Sequence, residues 1–401
     1  MTKPIEIIKK AYAIIKLFFS YIWVKFFAND IMKDDIWLIC EKITEARDNG
    51  YHLFAFLRQY HPEISAYYVI KKDSVDYEKI RPYGNIIFAN TFKHYLYYIC
   101  ALYNISSQPA GATPEPKSII NKLKKFKRKD QHIVFLQHGI IKDELTHSFD
   151  YSVSGYSLFV CSSQREQDFV EKTYKYPKGI VQNLGLCRFD NLLNSNSQRK
   201  KIILVMPTFR KWLISKKMPE EASENEKEIF LKSKYYSVFC DLLNNHYLQN
   251  YLSSKGYELV FYPHYAMQPY IQCFSQCSSD VVTIADRYHY DVQNLLIQSS
   301  CLITDFSSVF FDFAYMEKPE IFFQFDESQY RSTHYKKGYF DYREDGFGPV
   351  FYEADQVVAY LINLIENGCR IEEQYRKRIH AFFDHRDNHN CERTYEAIKR
   401  L

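Results

Sequence analysis

At 401 residues the chain exceeds one ordinary domain, and two to three domains are expected. Hydrophobic residues at 46% and charged residues at 25% exclude a disordered chain, and a net charge of +4 is too mild for a dedicated nucleic-acid binder. Ten scattered cysteines, several inside apolar runs such as Cys40, Cys161 and Cys301, contain no C-x-x-C pair; they fit buried thiols in a reducing compartment and offer no zinc spacing.

The first stretch, Ile5 to Phe27, is apolar but interrupted by Lys9, Lys10, Lys16 and Lys25. A spanning helix wants ~20 nearly uninterrupted apolar residues. On a helix Lys9, Lys16 and Ser20 share a narrow stripe, and Trp23 and the phenylalanines lie among Ile and Leu. This pattern predicts a helix lying in a membrane interface, with Ile14, Leu17, Phe18, Trp23 and Phe26 entering the acyl boundary. A helix packed on the main body is the alternative. A cleaved signal peptide is not favoured, since no small-residue cleavage site follows.

Short apolar runs then alternate with helical segments. Strands are expected at 36–40, 66–70, 85–89, 132–136 and 157–161, with a helix at 163–174. The segment 122–129 carries six basic residues, a solvated loop or a contact for an anionic partner. A polar break at 194–201 reads as an interlobe linker. The pattern restarts with strands at 202–206, 258–262, 281–285, 301–304 and 321–325 and helices at 235–254, 291–299, 309–317 and 355–367. The expectation is α/β, with a doubly wound sheet in each half. Residues 1–30 form the interface helix, 31–195 the first lobe and 196–401 the second, whose last helices are free to cross back to the first.

Ligands of such sheets bind beyond the carboxyl ends of the strands. Four ends carry unusual polar chemistry. Gln137-His138-Gly139 follows 132–136 and offers a histidine beside a permissive glycine. Pro207-Thr208-Phe209-Arg210 follows 202–206 and offers a hydroxyl and a forked guanidinium suited to phosphate. Pro263-His264 follows 258–262. Thr304-Asp305-Phe306-Ser307-Ser308 places hydroxyls where a helix begins and an anion is favoured. Each has a bland reading: a satisfied structural histidine, a structural ion pair for Arg210, a simple helix cap. Together they offer one base and several donors for phosphoryl charge, which transfer from a pyrophosphate donor requires.

The strings FLQHGIIKDEL, LGLCRFDNLL, ILVMPTFRKWL, FYPH, LITDFSSVFFDFAYMEKP and GYFDYREDGFGPV resemble the ordered blocks of the CDP-glycerol:poly(glycerophosphate) glycerophosphotransferase family. Upstream, IWLICEKITEARDNGYHLFAFL resembles the N-terminal lobe of its capsule-associated members. The resemblance covers roughly 34–400. It implies a GT-B fold, two Rossmann-like lobes facing a cleft, in a peripheral enzyme on the cytoplasmic face of the membrane. That enzyme would move a polyol phosphate from CDP-glycerol or CDP-ribitol to a lipid-linked or polymeric polyol-phosphate or saccharide acceptor in teichoic-acid or capsule synthesis, at an anionic membrane surface and without nucleic acid. By the same resemblance His138 is the general base, with His264 also catalytic. Thr208, Arg210, His264, Asp305, Ser307 and Ser308 bind the donor pyrophosphate. Gly139, Arg188, Asp190, Arg47 and Asn49 are candidates for the acceptor side of the cleft. No cofactor is expected, and no D-x-D near these strand ends supports a metal-dependent site. Ile140 and Cys187 stand where teichoic-acid polymerases usually carry Thr and Pro, which bears on the polyol or the acceptor. The alternatives are a nucleotide-sugar glycosyltransferase or related epimerase, which breaks a sugar C–O bond, and a non-catalytic polymer-binding scaffold.

Overall fold

Short runs of β-branched, aromatic and leucine side chains, bounded by polar turns, assemble into two parallel sheets. The computed structural model describes residues 3–27, 35–120, 123, 126–194, 199–214 and 221–401. The chain divides into two units: Met1–Ile140 with Thr146–Asn191 and Asp387–Leu401, and Ile141–Leu145 with Leu192–Arg386.

The first unit's strands are β1 (Trp37–Cys40), β2 (Ala66–Ile70), β3 (Ile86–Phe88), β4 (Tyr103–Ser106) and β5 (His132–Phe135). After β6 (Asp143–Glu144), which belongs to the second unit, come β7 (Leu158–Cys161) and β8 (Val181–Asn183). They pair in the order β3-β2-β1-β4-β5-β7-β8, all parallel. The order reverses between β1 and β4, the switch point where a doubly wound sheet opens its ligand crevice. Register aligns Cys40 with Ser106 and Ser106 with Phe135. Glu41, Ser107 and the Gln137-His138-Gly139 turn therefore emerge at one end of neighbouring strands. The C-terminal helix Asn390–Lys399 belongs here: Tyr395 stacks on His61 at 3.9 Å and lies 6.0 Å from Trp37.

The second unit repeats the plan with β9 (Ile202–Val205), β10 (Glu258–Phe261), β11 (Val282–Ile284), β12 (Cys301–Thr304) and β13 (Glu320–Phe323). Two short strands follow, β14 (Lys336–Lys337) and β15 (Val350–Phe351). The parallel order is β11-β10-β9-β12-β13-β15, with its switch point between β9 and β12; β14 pairs antiparallel with β6. Its core joins Ile203, Val205, Phe261 and Ile303 of the strands to Phe239, Leu243 and Leu361 of the flanking helices.

Lys3–Phe27 is one helix; of the five residues expected to enter the acyl boundary, Ile14, Phe18, Trp23 and Phe26 are exposed and Leu17 is buried. Ala13, Leu17, Ser20 and Val24 are 5% exposed or less, and three of them share a core with Tyr95, Leu96 and Ile99 of the helix Phe92–Cys100. Lys16 donates to the Asn90 carbonyl at 3.0 Å. Lys16 and Ser20 of the polar stripe thus lie toward protein, and Leu17, expected among acyl chains, is buried; the Lys9 side chain lies outside the described residues. Ile7, Ile8, Tyr12, Ile15, Phe19 and Phe26 are each half or more exposed. No described helix is long and apolar enough to cross a membrane. In the basic segment Lys122, Lys124 and Lys125 lie outside the described residues, as do 195–198 of the expected linker. Arg128 pairs with Asp130 at 2.8 Å.

Candidate active site

In the first unit, β5 ends in a tight turn. Gln137 takes φ 47°, a left-handed conformation uncommon for a residue with a side chain. Its own amide holds it there, donating to the Val160 carbonyl at 2.9 Å and to Glu166 at 3.1 Å. The next residue, His138, is solvent-exposed. Its Nδ1 lies 3.2 Å from the Ser107 carbonyl, which can only accept, so Nδ1 carries the proton and Nε2 the lone pair. Surrounding protein lowers the pKa of this ring; Asp48 and the Ser107 carbonyl pull it up, and Arg188 and Lys42 push it further down. Exposure and desolvation coexist here, because water reaches the ring while protein replaces much of the hydration its cation would need.

Several acceptor-side candidates converge on this turn. Asn49 is fully buried, donates to the carbonyls of Leu136 (3.2 Å) and Gln137 (2.8 Å), and accepts from the Arg188 N–H (3.0 Å). The Arg188 guanidinium donates to Asp48 (2.8 Å) and the His138 carbonyl (3.3 Å). Asp48 also caps the helix Asn49–Tyr60. Gly139 follows His138 and is half-buried. Two candidates have other work. Arg47 is paired with Asp76 at 2.7 Å. Asp190 accepts from the N–H groups of Asn390 (2.9 Å) and Cys391 (2.8 Å) and so caps the C-terminal helix. Gly185, at φ 79°, explains the glycine of that block: a Cβ there would sit 1.7 Å from the Asn390 amide oxygen.

In the second unit the register brings Thr208, His264 and Asp305 to the ends of adjacent strands β9, β10 and β12. Arg210, expected to meet phosphate oxygens, is instead fully buried on carboxylates. Its Nε and one terminal nitrogen fork onto Asp326 at 2.7 and 2.8 Å, Asp305 lies 2.8 Å away, and the Thr208 carbonyl accepts at 2.8 Å. Burial pushes the Asp305 carboxyl up and the guanidinium pulls it back. Asp305 also accepts from the Thr208 and Phe306 N–H groups at 2.8 and 2.6 Å. Arg210, Asp305 and Thr208, itself buried, therefore tie three strand ends together rather than presenting donors outward. His264, half-buried, accepts at Nδ1 from the Ala266 N–H (3.2 Å), so in the neutral ring Nε2 carries the proton, the opposite tautomer to His138. Ser307 and Ser308 are half-buried, and the Ser308 side chain makes no capping bond to its seven-residue helix Val309–Tyr315.

Sequence reasoning missed several residues here. Asp326 follows β13 and was discoverable as a further strand-end acid. His334 carries no motif; it stacks on Tyr330 at 4.5 Å, and burial beside Lys211 and Arg210 pushes it down to about 3. Lys142 and Arg331 both bind Asp143, the latter at 2.5 Å, in a buried cluster. Among the described residues no group of three or more His, Cys, Asp or Glu side chains is placed to hold a metal ion.

A family profile described as CDP-glycerol:poly(glycerophosphate) glycerophosphotransferase matches residues 18–400. The minor teichoic acid biosynthesis protein GgaB of Bacillus subtilis is 32% identical over 372 residues, 91% of this chain and 40% of that protein. A teichoic acid poly(glycerol phosphate) polymerase of Staphylococcus epidermidis is 24% identical over 265 residues, 61% of this chain and 33% of that protein. The chain thus spans well under half the length of these relatives. Among solved structures, one of the wall teichoic acid polymerase TagF soaked with CDPG superposes with TM-score 0.70 at 17% identity, covering 100% of this chain and 98% of that one. That likeness establishes the fold: an α/β, GT-B-like chain of two Rossmann-type sheets.

Proposed function

The chain belongs to the CDP-glycerol:poly(glycerophosphate) glycerophosphotransferase family, and from that premise we propose that it transfers a polyol phosphate from a CDP-polyol, glycerol phosphate first among them, to a hydroxyl of a growing teichoic-acid or capsular polymer. The observation that carries the chemistry is that the two strand-end histidines have opposite partners at Nδ1, a carbonyl for His138 and a backbone N–H for His264. His138 offers a lone pair at Nε2 and acts as the base on the acceptor hydroxyl. His264 offers an N–H at Nε2, a donor for phosphate oxygen. The acceptor oxygen attacks the β-phosphorus, the phosphoanhydride bond breaks, and CMP leaves with the electron pair. The hydroxyls of Ser307 and Ser308 join His264 on the pyrophosphate. Arg210, Asp305 and Thr208 act as positioning residues behind them.

Two variants separate these roles. His138→Ala is expected to lower turnover ~100-fold or more with little change in donor affinity. Ser307→Ala combined with Ser308→Ala is expected to weaken CDP-glycerol binding in calorimetric titration. Turnover within a few-fold of the parent in the first, or an unchanged Kd in the second, removes that residue from its role.

The acceptor is read as lipid-linked, and the enzyme as peripheral on the cytoplasmic face of an anionic membrane. Support comes from the N-terminal helix, whose outward side carries Ile8, Tyr12, Ile15, Phe19 and Phe26 exposed, with Lys25 among them. Confinement to a surface raises the effective concentration of enzyme and acceptor.

A further inference from the structure

We propose that Asn49, with its neighbour Gly50 and with Ser107, is the device that fixes the placement and the tautomer of His138. This inference rests on the reading of His138 as the base. Asn49 cannot be a substrate contact in this structure, because it is fully buried and its amide is committed to protein. Its Nδ2 donates to two successive carbonyls, those of Leu136 (3.2 Å) and Gln137 (2.8 Å), immediately before His138. Its Oδ1 accepts from the Arg188 N–H at 3.0 Å. Only a primary amide of this length supplies two donors and one acceptor together: Asp has no donor and Ser is too short. The bonds pin the one turn on β5 that needs them, since Gln137 sits at φ 47°.

The adjacent residue completes the arrangement. The Gly50 N–H donates to Ser107 Oγ at 3.0 Å, and the Ser107 carbonyl receives the His138 Nδ1–H at 3.2 Å. Gly50 also packs closely on the preceding strand end: a Cβ would lie 3.0 Å from Glu41 Cγ and 3.1 Å from the Cys40 carbonyl, tighter than ordinary contact. Glu41 in turn accepts the N–H groups of Arg47, Asp48 and Tyr51 at 2.7–2.9 Å, fixing the loop that delivers Asn49. The start of one helix thus holds the histidine from both sides, through its preceding backbone and through its ring. A neutral histidine ring has two tautomers, and in the Nε2–H form Nε2 could not act as a base, so the ring contact decides function. The charged groups facing the ring are Asp48, Arg188 and Lys42; Asn49 adds no charge.

The test uses Asn49→Ala and the milder Ser107→Ala, which keeps the carbonyl and loses only the Gly50 bond. Turnover of CDP-glycerol is read beside the 15N NMR signature of the His138 ring. Asn49→Ala is expected to lower kcat ~10- to 100-fold, with donor KM within about 3-fold, because misplacing a reacting group costs rate rather than ground-state binding. The His138 signals are expected to shift from Nδ1–H toward the Nε2–H form, and in Ser107→Ala by a smaller step in the same direction. Retention of both kcat and the Nδ1–H signature in Asn49→Ala overturns the proposal. If Asn49→Ala does not fold, an unchanged ring signature in Ser107→Ala overturns it. Should His138→Ala keep its activity, the base assignment fails, and the ring signature still judges the brace on its own.

Discussion

Arg210 and His94 show how burial decides what a polar side chain does. Arg210 was legible as a strand-end arginine, but not its partner Asp326, 116 positions away. Removing one member of a buried charge pair leaves the others uncompensated, so Arg210→Met is expected to cost ~3–5 kcal/mol in denaturant unfolding. A folded variant of parental stability that has lost donor affinity would instead mean direct contact with phosphate. His94, fully buried, donates from Nε2 to the Ala112 carbonyl (2.8 Å) and accepts at Nδ1 from the Asn90 N–H (3.0 Å), and burial pushes it down to about 4. Its folded pKa lies below the unfolded value of ~6.5, so the unfolded chain takes up a proton first as pH falls. Stability is expected to drop by on the order of 3 kcal/mol between pH ~6.5 and ~4. Chemical unfolding across that range tests it: the slope should shrink by about that amount in His94→Gln, leaving the part that His334, pushed down to about 3, contributes, and an equal slope in the variant assigns the effect elsewhere.

At the scale of elements, strands rich in Val, Ile, Leu and Phe were readable, because burial on both faces demands such runs. Ala66–Ile70 and Cys301–Thr304 fall on the expected residues. The central strand β4 was not readable, since Asn104 and Ser106 interrupt it. Both are buried and satisfied locally, Asn104 by the Ala112 N–H at 2.8 Å and Ser106 by the Gln108 N–H at 2.9 Å. The single helix expected at 235–254 is two, Lys234–Leu243 and His246–Lys255, because Asn245 caps the second through the Leu248 N–H. For the N-terminal helix, hydrophobicity alone could not say which side the protein would take. Phe19→Glu with Phe26→Glu is therefore expected to abolish sedimentation with anionic vesicles while preserving the fold. Leu17→Ala is expected to cost ~2–5 kcal/mol with vesicle binding kept in the folded protein. Unchanged sedimentation of the Phe19/Phe26 variant would end the membrane reading of this face.

For the whole molecule, the repeated strand order with a switch point in each sheet accounts for where the polar motifs lie. Motif positions showed the strand ends in the sequence; which members face outward and which serve as hidden struts did not show, because that depends on partners distant in the chain. Asn49 and Arg210 were both candidates for contact, and both are committed to protein. Of the other motif residues, His138 is exposed in the first unit, and His264, Ser307 and Ser308 are half-buried in the second. Under the proposed function the bond broken is the phosphoanhydride of a CDP-polyol. This is tested most directly by incubating the protein with CDP-glycerol labelled with 32P in the β-phosphate and an oligomeric glycerol-phosphate acceptor. The label is expected to enter the lengthened acceptor, with unlabelled CMP released in equal amount. Label remaining in CDP, with glycerol alone transferred, or transfer only from nucleotide sugars, would rule out phosphoanhydride cleavage as the reaction.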